Sequence, residues 1–192
     1  MQLIIAGRGG QGIILMTKVM GEAAFSSGLP VLSSETHGMA LRGGSVLTHL
    51  KVGPYRSPLI AEGTADGIIG MDEEEAKNNV RFLKETGTMI VNCRDTSRNG
   101  FPSIDADRLA AELGNVRLSN MVFLGFAVAH LDRPFPFLIV KETIRRVSPG
   151  SSSERNLKAF DLGFQKGLQE KKEGHRAASD PERLFFTSYL VL

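Results

Sequence analysis

Leu3-Ile4-Ile5-Ala6-Gly7-Arg8-Gly9-Gly10-Gln11-Gly12-Ile13-Ile14, near the start of the chain, reads as a strand, a glycine turn and the opening of a helix. The apolar run Leu3 to Ala6 suits a strand buried on both faces, as in parallel sheets. The glycines follow at once, and an apolar helix of about four turns continues through Val19, Met20, Ala23 and Ala24 until Gly28 and Pro30 stop it. Downstream, Pro30 to Ser34 predicts a second strand, and Glu35 to Gly44 a polar glycine-rich loop. Ser45 to Val52 alternates as a third strand. Asp66 to Met71 predicts another buried strand. Asp72 is placed to cap a helix that starts with Glu73, Glu74 and Glu75 and runs to about Lys84, and Thr88 to Asn92 predicts the next strand. Strand, helix and strand in this order imply an α/β fold with a mostly parallel sheet.

The second half reads as helical. Asp105 to Leu113 predicts a short helix, and Asn120 to Leu131 one that is apolar on nearly every side, which only a buried helix tolerates. A helix after Pro134 and Pro136 ends near Val147. Ser151 and Glu154 fit a capping box opening a last helix with Leu157, Phe160, Phe164 and Leu168 on one face. The stretch from Lys171 to Arg183 reads as polar and loose, and the apolar end Leu184 to Leu192 carries no assignable signal. All 192 residues are taken as one domain, with 171–192 as a poorly assigned tail.

Composition excludes more than it assigns. Net charge is +2, from 23 basic and 21 acidic residues without a basic stripe, so nothing motivates a nucleic-acid partner. No apolar run approaches the roughly 20 residues of a membrane span, and the short burst at Leu3 to Ala6 is no secretory signal. One cysteine, Cys93, makes neither an intrachain disulfide nor a cluster site of four thiolates, and a reducing cytoplasm suits it. Four histidines (His37, His49, His130, His175) show no metal-ligand spacing, so no metal site is expected on this chain.

Two loops carry candidate chemistry. Gly7-x-Gly9-x-x-Gly12 satisfies a dinucleotide-binding pattern in the right place, with Glu35 about where a ribose-binding acid would fall. Glycines let backbone approach a ligand, and the free N–H groups of a helix start favour an anion. A nucleotide, another anion and a steric turn all fit that pattern on the residues alone. Gln11 adds an amide that either orients a bound group or holds a neighbouring loop. The second loop, His37-Gly38-Met39-Ala40-Leu41-Arg42-Gly43-Gly44-Ser45, joins an imidazole, a guanidinium, glycines and a hydroxyl. Arg42 beside two glycines makes an anion grip, or else pairs with Glu35 or Asp66 as a surface ion pair. His49 reads as packing, His130 as a core histidine, and Cys93 as a small buried hydrophobe.

Together these two loops resemble the gamma-type domain of 2-oxoacid:ferredoxin oxidoreductases. The form His37-Gly38-Met39-Ala40-x-Arg42-Gly43-Gly44-Ser45 is most similar to the beta subunits of the indolepyruvate type. Ser57-Pro58-Leu59-Ile60, Ala65-Asp66 and Asn120-Met121 agree with it, Leu41 departs from the glutamine expected there, and the likeness covers most of residues 1–170. The resemblance implies a three-layer α/β/α fold and an accessory subunit. Its complex converts a 2-oxoacid, coenzyme A and oxidised ferredoxin to an acyl-CoA, carbon dioxide and reduced ferredoxin. It further implies thiamine diphosphate and iron–sulfur clusters on a large alpha-type partner, ferredoxin met through the complex, and no certain cofactor on this chain. The isolated chain is then expected to be inactive, and its homodimerisation stays open. Gly7, Gly9, Gly10, Gln11, Gly12, His37, Gly38, Arg42, Gly43, Gly44 and Ser45 become candidates for ligand or subunit contact. Two other functions remain: a stand-alone flavin or nicotinamide oxidoreductase domain, and a purely structural partner subunit.

Overall fold

A computed structural model describes residues 1–38, 43–96, 100–131, 133–148, 150 and 152–178, without the side chains of His37 and 174–178. Strands β1 (Gln2–Arg8), β2 (Val31–His37), β3 (Ser45–Val52), β4 (Ala65–Gly70), β5 (Leu83–Asn92) and β6 (Ser103–Ile104) form one sheet in the order β2-β3-β1-β4-β5-β6. β1, β4, β5 and β6 are parallel neighbours, whereas β3 runs antiparallel to both β1 and β2. The sheet is therefore mixed, with parallel pairings in the majority. Chain length explains the exception. Only 38–44 separate β2 from β3, too few residues for the dozen or more that a parallel crossover needs.

β1 shows the period-2 logic directly. Leu3 and Ile5 enter the larger apolar cluster, under α1 (Ile13–Ser26), α3 (Ala106–Glu112), α4 (Ser119–Leu131), α5 (Phe137–Val147) and α6 (Ser152–Ala178). Ile4 and Ala6 enter a smaller one with Ile60, Ile68, Ala76 and Val91, under α2 (Glu73–Asn78) and a 3-10 turn at Val80–Phe82. The three layers are thus unequal, with one helical layer reduced to a short helix and a turn.

α4 is buried on all sides but His130, as its composition requires. Its partner α6 lies so close that backbone meets backbone. A Cβ on Gly163 would overlap the Val122 carbonyl, and one on Gly125 would overlap the Phe160 carbonyl. These two glycines were not among the residues singled out in the sequence.

The element boundaries depart from expectation in four places. β2 extends to His37, because Glu35 and Thr36 pair with Thr48 and Leu47 and so leave the loop. α2 stops at Asn78 instead of Lys84, and Leu83 and Lys84 already belong to the long strand β5. α6 continues past Lys171 to Ala178, and Leu168 lies half exposed instead of on the packed face. β6 is a two-residue strand with no periodic signal to betray it. Ser151 and the apolar end 179–192 lie outside the described residues.

Candidate functional site

The glycine turn links β1 to α1 at the edge of the sheet where the parallel strands end. Gly10 (φ 96°) and Gly12 (φ 81°) occupy left-handed backbone that other residues rarely adopt. Gly12 is the N-cap of α1 and has no side chain to cap it, no cap hydrogen bond is made among the described residues, and the first turn holds no acid. The leading N–H groups and the positive end of the helix dipole are therefore left for an anion.

The glycines of the two loops differ in what they do. At Gly7 a Cβ would stand 2.8 Å from the Gln11 Oε1 and crowd Ile13 as well. At Gly12 it would overlap the side-chain amide of Asn120, the buried second residue of α4. Gly9 meets the second loop through its backbone, its N–H donating to the Gly44 carbonyl at 2.8 Å, and an added Cβ would find Gly43 N at an ordinary 3.5 Å. Gly10 faces open space, so its glycine serves conformation and not close approach. Gly38 closes the hairpin by donating to the Ser45 carbonyl at 2.8 Å.

Gln11 resolves in favour of holding structure. Its Oε1 accepts from the Arg8 N–H at 2.6 Å and its Nε2 reaches the Met71 carbonyl, just past the end of β4. The amide is thereby turned away from the mouth of the turn and fastens β1 to β4. The acids of α2, readable as no more than a solvated helix start, prove to brace both loops. Asp72 accepts from the N–H groups of Glu74 and Glu75 as the helix cap. It also pairs with Arg8 at 3.1 Å, and Glu74 takes the other side of the same guanidinium. Ser45 Oγ donates to Glu75 at 2.7 Å.

Against the glycine turn and the start of α1 lies a cleft of about 370 Å³ lined by Arg8, Gly9, Gly10, Gly12, Ile13, Ile14 and Val46 of β3. Residues 39–42, with Arg42 among them, and the side chain of His37 lie outside the described residues. Glu35 stands on the exposed edge strand, level with the middle turns of α1 and not at the glycine turn. It is not placed as a ribose ligand.

The other titratable candidates belong to the core. His49 is buried, its Nδ1 accepts from the Ile60 N–H at 3.1 Å, and its ring stands edge-on to Phe82. Burial, and then the Lys51 charge, lower its pKa below 6.5. His130 meets Glu170 at 2.9 Å between α4 and α6. Cys93 is buried in the smaller apolar cluster at the end of β5. Among the described residues, no group of three or more His, Cys, Asp or Glu side chains is arranged to hold a metal, and no helix is long and apolar enough to cross a membrane.

Residues 2–166 match the sequence profile of the pyruvate ferredoxin/flavodoxin oxidoreductase family. Similar proteins include indolepyruvate oxidoreductase subunit IorB of Archaeoglobus fulgidus, 31% identical over 88% of this chain and 96% of the relative. The same subunit of Pyrococcus horikoshii is 33% identical over 85% and 94%. In fold, the chain is similar to the gamma subunit of a keto/oxoacid ferredoxin oxidoreductase from Geobacter sulfurreducens. That likeness has a TM-score of 0.72 at 24% identity and covers 88% of this chain and 98% of the other. It is also similar to part of 2-oxoglutarate:ferredoxin oxidoreductase from Magnetococcus marinus, with a TM-score of 0.72 at 23% identity over 87% of this chain but 31% of that longer one. The chain therefore belongs to the pyruvate ferredoxin/flavodoxin oxidoreductase family, as one of its small subunits.

Proposed function

We propose that this chain completes the coenzyme A side of a thiamine-dependent 2-oxoacid:ferredoxin oxidoreductase whose substrate is an aryl pyruvate such as indolepyruvate. The complex turns 2-oxoacid, coenzyme A and oxidised ferredoxin into acyl-CoA, carbon dioxide and reduced ferredoxin, two electrons leaving through ferredoxin. The observation that carries the reading is the Gly9–Gly44 backbone bond. It sets the start of α1 beside Gly44, at the end of the second glycine-rich loop. Free N–H groups at the start of α1 suit the phosphates of coenzyme A, and the same loop carries Arg42 in its sequence, whose guanidinium is a bidentate phosphate ligand by chemistry. The names of the similar IorB subunits favour the aryl substrate.

The residues of this chain do not fit an iron–sulfur cluster. A cluster takes four thiolates, and the only thiol is the buried Cys93. Clusters and thiamine diphosphate, which stabilises the carbanion formed on decarboxylation, belong in this reading to a large alpha-type partner. Here the chain binds and orients: α1 and the hairpin hold an anion, while Gln11 and the α2 acids keep the two loops rigid.

Anaerobic ferredoxin reduction with indolepyruvate tests the proposal, using this chain alone and then co-purified with a large alpha-type subunit. No turnover alone, and turnover dependent on coenzyme A in the complex, are expected. Flavin or nicotinamide retained by the purified chain, with turnover in the absence of the partner, would make it a stand-alone oxidoreductase instead.

A further inference from the structure

The start of α4 meets the start of α1 at a polar group that the fold leaves without a partner. Three asparagines are buried among the described residues, Asn79, Asn92 and Asn120. Asn79 donates to the Glu75 carbonyl. Asn92 donates to the Met71 carbonyl and accepts from the Ala106 N–H. Asn120 is only 8% exposed, yet its amide makes no hydrogen bond among the described residues. A buried amide without a partner destabilises a fold, so its presence calls for a group from outside the chain.

Asn120 points at the N-cap of α1. The space that a Cβ on Gly12 would need is taken first by the Asn120 Nδ2, with Cγ at 3.0 Å and Cβ at 3.4 Å behind it. Gly12 in turn lines the cleft of about 370 Å³, whose lining holds no acid. The amide and the cleft therefore meet at a residue without a side chain. Charge favours an anion there. α1 runs for 14 residues and α4 for 13, neither has an acid in its first turn, and both bring the positive ends of their dipoles to this point.

We propose that Asn120 is a ligand-binding residue: together with the leading N–H groups of α1 it holds a phosphate or diphosphate group, its Nδ2–H donating to one of the anion's oxygens. A phosphate presents several oxygens and so accepts from donors of both elements at once, whereas a cation would meet two positive helix ends. The site then draws on both halves of the sequence, the glycine turn near its start and the apolar helix α4 far along the chain. Gly12 serves it twice, by its left-handed backbone and by leaving the amide room. That the anion is the diphosphate of coenzyme A rests on the function proposed above, while the Asn120 site itself does not.

Thermal melting of the full chain with inorganic pyrophosphate at millimolar concentration tests the inference. The parent should melt higher as pyrophosphate is added, with saturation. Asn120→Ala removes the unpartnered amide, so it should melt no lower than the parent without pyrophosphate and should bind pyrophosphate roughly 10- to 100-fold more weakly. Asn120→Asp keeps the shape and sets a carboxylate at two positive helix ends, so it should melt higher than the parent and no longer respond to pyrophosphate. Binding by either variant as tight as by the parent, or no stabilisation of the parent, would overturn the inference. So would both variants melting well below the parent, which would make the amide a structural one. Coenzyme A kinetics on the assembled complex keep the two proposals apart. If Asn120→Ala weakens pyrophosphate binding but leaves the KM for coenzyme A unchanged, the anion site stands and its assignment to coenzyme A fails.

Discussion

At the scale of single residues, glycine is used for two separate purposes at the candidate site, and substitution can tell them apart. Gly10→Ala meets no atom within 4 Å but must hold a φ of 96°, so it should cost about 1–2 kcal/mol through backbone strain alone. Denaturant unfolding should show that loss with the slope unchanged, and a larger loss would mean that the space is not open. His49 offers a pH-dependent test. Buried and accepting from Ile60, it is stable in the neutral form, so the folded protein takes up its proton at lower pH than the unfolded chain does. Its contribution is complete above pH 6.5 and is lost as the pH falls through the depressed folded pKa. His49→Gln retains an acceptor and cannot titrate, so melting temperature should depend less on pH between 5 and 7 than in the parent. Parallel curves for the two proteins would show that His49 does not contribute.

At the scale of elements, helix contact and helix propensity make opposite demands on glycine. Gly163→Ala improves propensity by about 1 kcal/mol but drives a methyl into the Val122 carbonyl. Overpacking at roughly 1–3 kcal/mol or more should win, lowering the melting temperature by several degrees. Gly21→Ala, in the middle of α1, meets Val31 at an ordinary 3.5 Å and should stabilise by about 0.5–1 kcal/mol. If calorimetry showed Gly163→Ala stabilised as Gly21→Ala is, the close α4–α6 contact would be wrong. The same contrast explains what the sequence could disclose. β1, β3 and α4 were legible because a buried strand, an alternating strand and an all-apolar helix each impose a local pattern. The extension of β2 over the polar residues Glu35 to His37 was not, since an exposed edge strand carries no alternation that burial enforces. Likewise, Gly125 and Gly163 matter only because two distant helices meet there. The meeting of the glycine turn with the second loop could be expected from topology, but the bracing by Asp72, Glu74 and Glu75 could not, because acids at a helix start look alike whether or not they have partners.

At the scale of the whole molecule, the proposed division, with an anion cleft on this chain and the reactive cofactors on a large partner, should show in kinetics. Arg42→Ala is the most direct measurement, made on the assembled complex with coenzyme A and 2-oxoacid varied separately. A charge-assisted contact of roughly 1.5–3 kcal/mol corresponds to about one to two decades in affinity. The Michaelis constant for coenzyme A should therefore rise about 10- to 100-fold, with Arg42→Lys falling between because it keeps the charge and loses the planar fork. The constant for the 2-oxoacid should barely move, and sedimentation should show the complex intact. An unchanged coenzyme A constant in an intact complex would contradict the assignment of this cleft to coenzyme A.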